Sequence, residues 1–142
     1  MFYSEHTVQS FEQFDKYRLC DEFCDIIFKV QSVSFRTHRM ILAASSPYFY
    51  AMFTSGLMEE TSDTITLHDI DVESFELLLQ FMYTSKIDIT ESNAQDLFVA
   101  ADMFQLTIVS DACVEFLQHQ IDPANAIEML YFAESHLCDK LG

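Results

Sequence analysis

The stretch HRMILAASSPYFYAMFTSG, residues 38–56, decides which fold this sequence can adopt. Eleven of its nineteen residues are apolar, yet two serines and a proline break it in the middle. Met40 to Ala44 are good helix formers. Ser46 can cap a second helix with Pro47 at its first position, and Gly56 suits the left-handed residue that ends a helix. Because neither segment has a clear polar side, we expect two short buried helices in the core, or in the core and an interface.

Length and composition indicate one soluble domain. The chain has 142 residues, half of them hydrophobic, which is enough to bury a core. No apolar run approaches the roughly 18 residues that a membrane span requires. The N-terminus lacks the basic and apolar regions of an export signal. We therefore expect a soluble protein of the cytoplasm, or of the cytoplasm and the nucleus.

The charge balance is strongly acidic and excludes two classes of partner. Seven Lys and Arg stand against 23 Asp and Glu, which gives a formal net charge of −16. Nucleic acid binding depends on cationic side chains that neutralise phosphates, and anionic membrane surfaces attract the same side chains. We expect neither nucleic acid nor membrane as a partner.

The scarcity of glycine argues against the common enzyme motifs. Only Gly56 lies inside the chain, because Gly142 is the last residue. Phosphate-binding loops, dinucleotide fingerprints and nucleophile elbows each need several glycines. His68 beside Asp69 has no evident nucleophile to activate, so a surface turn is the better interpretation. We expect no enzyme and no cofactor.

The cysteines are too sparse to indicate a disulfide framework or a zinc site. A zinc site would have to combine the C-x3-C pair Cys20 and Cys24 with distant ligands, whereas structural zinc usually uses two close pairs. Cys24 and Cys113 lie in apolar surroundings and are interpreted as buried thiols. Cys20 and Cys138 lie nearer to polar residues and are open to oxidation. We expect reduced thiols and no metal.

Periodic patterns assign most of the chain to short elements. Val8, Phe11 and Phe14 recur at every third residue between polar residues, which is typical of an amphipathic helix. Asp71 can cap the helix that follows it, and Ser92 begins the S-x-x-Q pattern of a capping box. The predicted helices cover about residues 6–17 and 72–84 and segments that begin near 94, 109 and 123; the predicted strands are 25–30, 33–37, 64–69 and an edge strand, 86–90.

The residues that fill this order of elements resemble a known family, the BTB/POZ domain of the BTB-BACK-Kelch proteins. The matching segments are LCDEFCDIIFKV (19–30), FRTHRMILAASSPYFYAMFTSGLMEE (35–60), ITLHDIDVESFELLLQFMYTSKIDIT (65–90), NAQDLFVAADMFQLTIVSDACVEFL (93–117) and DPANAIEMLYFAESHLC (122–138). The resemblance implies an α+β BTB/POZ fold: a small, mostly three-stranded sheet with short edge strands, capped by a cluster of α-helices. It also implies a BTB/POZ domain over residues 1–121 and the truncated start of a BACK region over 122–142.

The resemblance further implies a homodimerising adaptor that recruits the BTB-specific cullin scaffold to a ubiquitin ligase. Such adaptors bind their substrate protein through a region absent from this chain. The N-terminal helix builds the dimer in this family, so Val8, Phe11 and Phe14 would face the second subunit. Asp25 and His38 match positions in a polar notch at the dimer interface. For these two residues a direct interface role and a hydrogen-bonded pair or helix cap remain equally open.

Cullin binding in the family uses three segments that this sequence retains. One is a hydrophobic-x-Glu motif, the second is the turn after the helix that ends in DMFQL, and the third is the opening of the BACK region. Leu57 and Phe104 could serve as exposed apolar anchors for the cullin, and the alternative is that both side chains close the local core. The residues expected to bind the cullin are Leu57, Met58, Glu59, Met103, Phe104, Gln105, Asn125, Ile127 and Leu130.

A second function, from a different class, is a transcriptional-repressor BTB domain that binds corepressor peptides in its dimer groove. That branch usually lacks the BACK opening and the hydrophobic-x-Glu motif. The DPANAIEMLYFA segment, residues 122–133, therefore argues against it. Electrophile sensors of the family carry a reactive cysteine where this chain has residues 91–94, so a sensor role through that position is not expected.

Overall fold

The computed structural model describes residues 1–55 and 63–137, and the chain divides into two compact units, Met1–Ile87 and Asp88–Gly142. The described residues form seven α-helices, three strands and a π-helical turn. These are α1 (Ser4–Leu19), β1 (Ile26–Val30), β2 (Val33–Thr37), α2 (Arg39–Ser45), α3 (Pro47–Thr54), β3 (Thr64–Leu67), α4 (Val72–Thr84), α5 (Ala94–Met103), α6 (Thr107–His119), α7 (Ala126–Phe132) and the π-turn Ala133–Leu137.

The sheet of the first unit confirms the predicted α+β class. Its strand order is β2-β1-β3, with β2 antiparallel and β3 parallel to the central strand β1. Phe28 of β1 lies opposite Phe35 of β2 and Ile65 of β3. The turn between β1 and β2 lacks glycine, and Gln31 takes the left-handed conformation there, with φ of 56°.

Aromatic rings make the core of this unit. Phe28 is fully buried, and its ring centroid lies 5.4 Å from that of Phe49 on α3 and 5.7 Å from that of Phe75 on α4. Edge-to-face and tilted pairs of this kind add to the stabilisation that apolar burial provides. The central strand, α3 and α4 therefore meet at one side chain.

The two helices within residues 38–56 form as Ser46 and Pro47 predict, with a boundary between them at these residues. The Ser46 side chain accepts a hydrogen bond from the Phe49 N–H at 3.2 Å, and Pro47 is the first residue of α3. The expectation that both helices are buried throughout is wrong, because Met40 and Tyr50 are exposed. A helix of seven or eight residues that lies at the edge of a core buries only one face. Gly56, the predicted terminator, lies outside the described residues.

Helix α4 has the predicted bounds and cap. The Asp71 carboxylate accepts a hydrogen bond from the Ser74 N–H at 2.9 Å, and the helix ends at a left-handed Ser85. The edge strand predicted at 86–90 is wrong, since these described residues form no strand.

In the second unit the side chain of Asn93 organises the entry to α5. It accepts a hydrogen bond from the Thr90 N–H at 2.8 Å and donates one to the Asp88 carbonyl at 3.1 Å. These bonds hold the preceding segment as a loop. The predicted capping box is wrong, because the residue before α5 is Asn93 and not Ser92.

Helices α5 and α6 pack against each other, and α7 follows after a turn. The last helix was expected to begin at Pro123, but it begins at Ala126. The Asp122 carboxylate instead accepts hydrogen bonds from the N–H groups of Ala124 and Asn125, at 2.8 and 2.9 Å. Among the described helices of the two units, none has both the length and the apolar character needed to cross a bilayer.

Candidate interaction surfaces

Helix α1 carries the apolar face predicted to meet a second subunit. None of its sixteen residues, all of which the structure describes, is buried. Val8 and Phe11 are 57% and 39% exposed. Phe14 is half-buried, and its ring stands edge-on to that of Phe11 at 5.4 Å. Helix α1 packs along α4, and Val8 and Phe11 line a groove of about 490 Å³ that Glu76 and Gln80 of α4 also line.

A groove of about 380 Å³ continues this surface, with Phe14, Phe23 and Met40 among its lining residues. Phe23 lies in the connector between α1 and β1 and is 77% exposed. Its φ of 62° is left-handed, which is strained for a bulky residue by about 1–3 kcal/mol. Asp25 and His38, both predicted at the dimer interface, also line the groove.

Asp25 and His38 do not bond to each other. The Asp25 carboxylate accepts a hydrogen bond from the Arg39 N–H at 2.7 Å, and the Arg39 guanidinium donates to the Asp25 carbonyl at 2.7 Å. Asp25 thus caps the first turn of α2 from outside the helix. Of the two alternatives weighed for this residue, the helix cap is present, while an interface role stays a prediction.

His38 is buried in a hydrogen-bonded network. Its Nε2 lies 2.8 Å from the Glu22 carbonyl, and since a carbonyl only accepts, Nε2 carries the proton. Its Nδ1 lies 2.6 Å from the Tyr83 hydroxyl, which also accepts the His38 backbone N–H at 3.0 Å. These bonds join the α1–β1 connector and the start of α2 to helix α4.

Tyr83 is the buried centre of that network. Burial raises the pKa of its phenol well above the usual value, although the hydrogen bond from the His38 N–H acts in the opposite direction. The Arg18 guanidinium lies over its ring, 5.1 Å from the centroid, and is itself held by Asp15 at 2.8 Å. The phenol therefore stays protonated at neutral pH and serves as a hydrogen-bonding group.

The described cysteines differ in exposure. Cys20 is exposed, and Cys113 is buried as predicted, with its pKa raised by burial to about 11. Cys24 was also expected to be buried but is only partly so, with its Sγ 3.6 Å from His38 Nε2. Burial and the nearby Asp21 carboxylate raise the pKa of the Cys24 thiol. Cys138 lies outside the described residues.

The corner between α5 and α6 holds the second predicted contact segment. Of the two alternatives weighed for Phe104, an exposed anchor and a side chain that closes the local core, the structure shows the second, because Phe104 is fully buried. Gln105 takes a left-handed φ of 58° and is exposed, while Leu106 is buried again. Two buried side chains therefore fix the turn and push Gln105 outward. Met103 is half-buried beside it.

Sequence reasoning missed an exposed residue at this corner. Ile108, in the first turn of α6, is 73% exposed. It stands next to Val109, where the buried stripe of α6 begins, and a helical wheel would have placed it off that stripe. Leu57, Met58 and Glu59, the other predicted contact segment, lie outside the described residues.

Helix α7 holds the remaining predicted contacts. Asn125 precedes it, and its side-chain oxygen accepts the Asp122 N–H at 2.8 Å. Ile127 and Leu130 are exposed, as is Tyr131. The opposite side of the helix is covered, since Met129 is buried and Phe132 stands edge-on to Phe98 of α5 at 6.1 Å.

Comparison with known proteins assigns the chain to a family. Residues 14–121 match the BTB/POZ domain. The chain belongs to the BTB/POZ domain family. Kelch-like protein 17 of Mus musculus is 44% identical to this BTB/POZ chain over 118 residues, 83% of the chain and 18% of that protein. The Rattus norvegicus protein of the same name gives the same values.

A solved structure supports the fold of the BTB/POZ chain independently. The BTB domain of zebrafish PATZ1 has a TM-score of 0.77 and 28% identity, and the likeness covers 84% of this chain and 97% of that one. The chain spans less than a fifth of the length of the Kelch-like relatives, for which the covered share is 18%. The BTB/POZ fold and these relatives identify a protein-interaction module.

Proposed function

We propose that this BTB/POZ chain is the homodimerising, cullin-recruiting module of a substrate adaptor of a cullin-RING ubiquitin ligase. The observation that carries the proposal is the exposure of apolar side chains at two predicted places. Val8 and Phe11 are exposed on α1, and Ile127 and Leu130 are exposed on α7. The 44% identity to Kelch-like protein 17 supports an adaptor of that kind. Its substrate would bind through a region outside the chain.

The dimer is proposed to form through α1 and the groove that continues it. An exposed apolar stripe is covered most simply by the same stripe of a second copy related by a two-fold axis. Phe23 and Met40, exposed in the adjoining groove, would be covered as well.

Light scattering at micromolar concentration tests the dimer. We expect twice the chain mass of 16.5 kDa, and a monomer for the Val8→Ser, Phe11→Ser variant. The matched control is Ile108→Ser, which removes an exposed aliphatic side chain from α6. A monomeric wild-type chain would refute the dimer.

The cullin is proposed to dock on the segment Leu57-Met58-Glu59, the α5–α6 corner and α7. Leu57 would act as an apolar anchor, and the Glu59 carboxylate would orient a basic residue of the partner. The burial of Phe104 changes its proposed role, because it would support Met103 and Gln105 from inside the corner.

Isothermal titration calorimetry against the N-terminal domain of the cullin tests this docking. We expect binding by the wild-type chain and at least about tenfold weaker binding by the Leu57→Ala, Glu59→Ala double variant. Ser92→Ala, an exposed substitution outside the proposed segments, is the control. No binding by the wild type, or equal binding by the double variant, would exclude the proposal.

The alternative is a repressor-type BTB domain that binds corepressor peptides in the dimer groove. The identity to Kelch-like protein 17, 44% against 28% for the PATZ1 domain, favours the cullin adaptor. A pull-down that recovers corepressor peptides and no cullin would reverse this preference.

A further inference from the structure

Strand β2 leaves one row of backbone groups open, because it is the outer strand in the order β2-β1-β3. The Ile27 N–H donates to the Asp63 carbonyl at 2.8 Å, so Ile27 faces β3 and the next residue, Phe28, faces β2. The residues on either side of its partner in β2, Ser34 and Arg36, therefore direct their N–H and C=O groups away from β1. No strand among residues 1–55 and 63–137 pairs with this row, which is called the β2 edge below.

Cations lie beside the β2 edge on the solvent side of the sheet. Opposed residues of an antiparallel ladder, and residues two apart along a strand, share one face of a sheet. Lys29 lies opposite Ser34, and Arg36 is two residues further along β2, so these three share a face. All three are exposed. Because Ser34 has a short side chain, the Lys29 ammonium group can reach across it to a strand added at the edge, about 10 Å from β1.

The charge balance here is unusual for a chain with a net charge of −16. From residue 26 to residue 58 the sequence has no Asp or Glu, but it has Lys29, Arg36 and Arg39. The Arg39 guanidinium already bonds within the chain, whereas Lys29 has no ion pair with a described carboxylate. Arg36 lies 3.4 Å from Asp21, and both side chains are about half exposed. Such a pair contributes less than about 1 kcal/mol, so the carboxylate of a partner can take the place of Asp21.

We propose that the β2 edge binds an extended acidic segment of a partner protein as a fourth strand of the sheet. The backbone of that segment would pair with the N–H and C=O groups of Ser34 and Arg36, which is the mode called β-augmentation. Asp or Glu at alternate positions would lie on the face of Lys29 and Arg36. The positions between them would be apolar and would cover Val33, which is 39% exposed. The edge lies outside the proposed dimer and cullin surfaces, so the inference does not depend on the proposed function.

Charge complementarity selects this occupant over two others. A second copy of this chain would bring the same strand, whose one charged residue is Arg36, so cations would meet without a carboxylate. A basic segment would place like charge beside Lys29 and Arg36. Because Asp25 and Asp63 line a cavity together with Arg36, we expect the larger share of the attraction at Lys29.

Synthetic peptides test the chemistry with the 142-residue chain. The probe is a fluorescent nine-residue peptide in which Val and Glu alternate. One control replaces Glu by Lys, and the other is N-methylated at every peptide nitrogen and so cannot donate to a strand. We expect the Val/Glu peptide to bind at least about tenfold more tightly than either control, in about 0.15 M salt, where charges more than about 8 Å away are screened.

The net charge of the chain makes this comparison demanding. A charge of −16 would by itself favour the Lys control, so a preference for the Glu peptide reports the cations at the edge. Natural sheets also place cations at open edges to prevent aggregation. Failure of the Val/Glu peptide to bind, or equal binding of the Lys control, would mean that Lys29 and Arg36 only protect the edge and would overturn the inference.

Charge-reversal variants locate the electrostatic contribution. Lys29→Glu with Arg36→Glu should weaken the Val/Glu peptide at least about tenfold. The charge-matched control is Lys16→Glu with Lys86→Glu, at two exposed positions away from the sheet, and it should change the affinity less than about twofold. Equal weakening by both pairs would mean that net charge alone governs binding and would overturn the inference.

A backbone variant tests the added strand. Ser34→Pro removes an N–H that points outward and keeps the ladder with β1, since edge strands accept proline when its nitrogen faces away from the ladder. It should weaken the Val/Glu peptide at least about tenfold, whereas Ser34→Ala should change it less than about twofold. Circular dichroism checks that the proline variant folds.

Hydrogen exchange measured by NMR on the wild-type chain locates the bound peptide without any substitution. In the free chain the amide of Phe35, which pairs with β1, should exchange slowly, and the amides of Ser34 and Arg36 should exchange rapidly. Saturating Val/Glu peptide should slow exchange at Ser34 and Arg36 at least about tenfold. Unchanged exchange at both residues with the peptide bound would place it elsewhere and would overturn the inference.

Discussion

In the unit Met1–Ile87 every arginine of the chain lies against a carboxylate, whereas the described part of Asp88–Gly142 contains neither arginine nor lysine. The three ion pairs are Arg18–Asp15, Arg36–Asp21 and Arg39–Asp25. Two of these carboxylates, those of Asp21 and Asp25, lie within the α1–β1 connector. Polar bonds in the first unit therefore hold a loop in shape, and that loop borders the proposed dimer face.

The second unit is organised by apolar packing. Leu97 of α5 and Cys113 and Leu117 of α6 are buried, and the described residues of this unit include neither Lys nor Arg. The difference indicates two ways to build an interaction surface. The first unit holds a loop beside an apolar groove with internal Arg–carboxylate pairs, whereas the described part of the second unit has no Lys or Arg with which to form such pairs.

The largest expected loss of stability comes from a substitution in the core of the first unit. Phe28→Ala removes a fully buried ring that contacts Phe49 and Phe75, so the free energy of unfolding should fall by about 3–5 kcal/mol. Urea unfolding followed by circular dichroism measures it. Phe23→Ala, an exposed ring, is the control and should cost less than about 1 kcal/mol. Equal losses would mean that Phe28 is not the packing centre.

Thiol labelling compares the two units directly. At pH 8 the raised pKa of Cys113, about 11 against the ordinary 9.0, lowers its thiolate population by about 100-fold, and burial slows access further. Iodoacetamide labelling with peptide mapping should modify exposed Cys20 first and Cys113 last. Because folding raises this pKa, its contribution to stability is present below about pH 9 and is lost as the pH rises towards 11. Rapid labelling of Cys113 in the folded chain would contradict its burial.

The polar network is tested by Tyr83→Phe. Removing the hydroxyl leaves the buried His38 N–H and Nδ1 without their partner, which should cost about 1–3 kcal/mol of unfolding free energy. Tyr131→Phe, at an exposed position, is the matched control and should change it by less than about 0.5 kcal/mol. If Tyr83→Phe changes the free energy of unfolding as little as Tyr131→Phe does, the network does not stabilise the fold.

Helix capping gives a smaller contrast. Asp71→Ala removes the cap of α4 and should cost about 0.5–2 kcal/mol. Ser92→Ala should cost less than about 0.5 kcal/mol, because Ser92 bonds the Thr90 hydroxyl and does not cap α5. Thermal unfolding of both variants measures the two costs. A larger loss of stability for Ser92→Ala than for Asp71→Ala would support the predicted capping box at Ser92.

The smallest effect belongs to an exposed ion pair. Arg36 lies 3.4 Å from Asp21 with both side chains about half exposed. Arg36→Ser should therefore change the free energy of unfolding by less than about 1 kcal/mol. A loss comparable with that of Tyr83→Phe, measured by the same urea titration, would show that surface pairs contribute more to this unit than expected.

The sequence predicted those features that depend on local chemistry. Ser46 and Asp71 cap the helices they were expected to cap, because a cap needs only a side-chain oxygen and the next turn. The prediction of an edge strand at 86–90 was wrong. The Asn93 side chain, which lies beyond this segment in the sequence, forms hydrogen bonds with the backbone of Asp88 and Thr90. Periodicity cannot reveal such a bond.

Side-chain exposure was the least predictable property of the site. Phe104 lies in the family motif and was weighed both as an exposed anchor and as a core residue, and it is fully buried directly before the left-handed Gln105. The same turn precedes the exposed Ile108, which no motif had indicated. Periodicity would have placed Ile108 off the buried stripe of α6, but it does not reveal a left-handed residue such as Gln105 between two helices.

The mass of the complex in solution tests the central claim most directly. The chain, at 16.5 kDa, is mixed with an excess of the cullin N-terminal domain and separated by gel filtration with light scattering. Homodimerisation together with cullin recruitment predicts one complex that contains two copies of each protein. A mass equal to one copy of each, or elution of the two proteins as separate species, would contradict it.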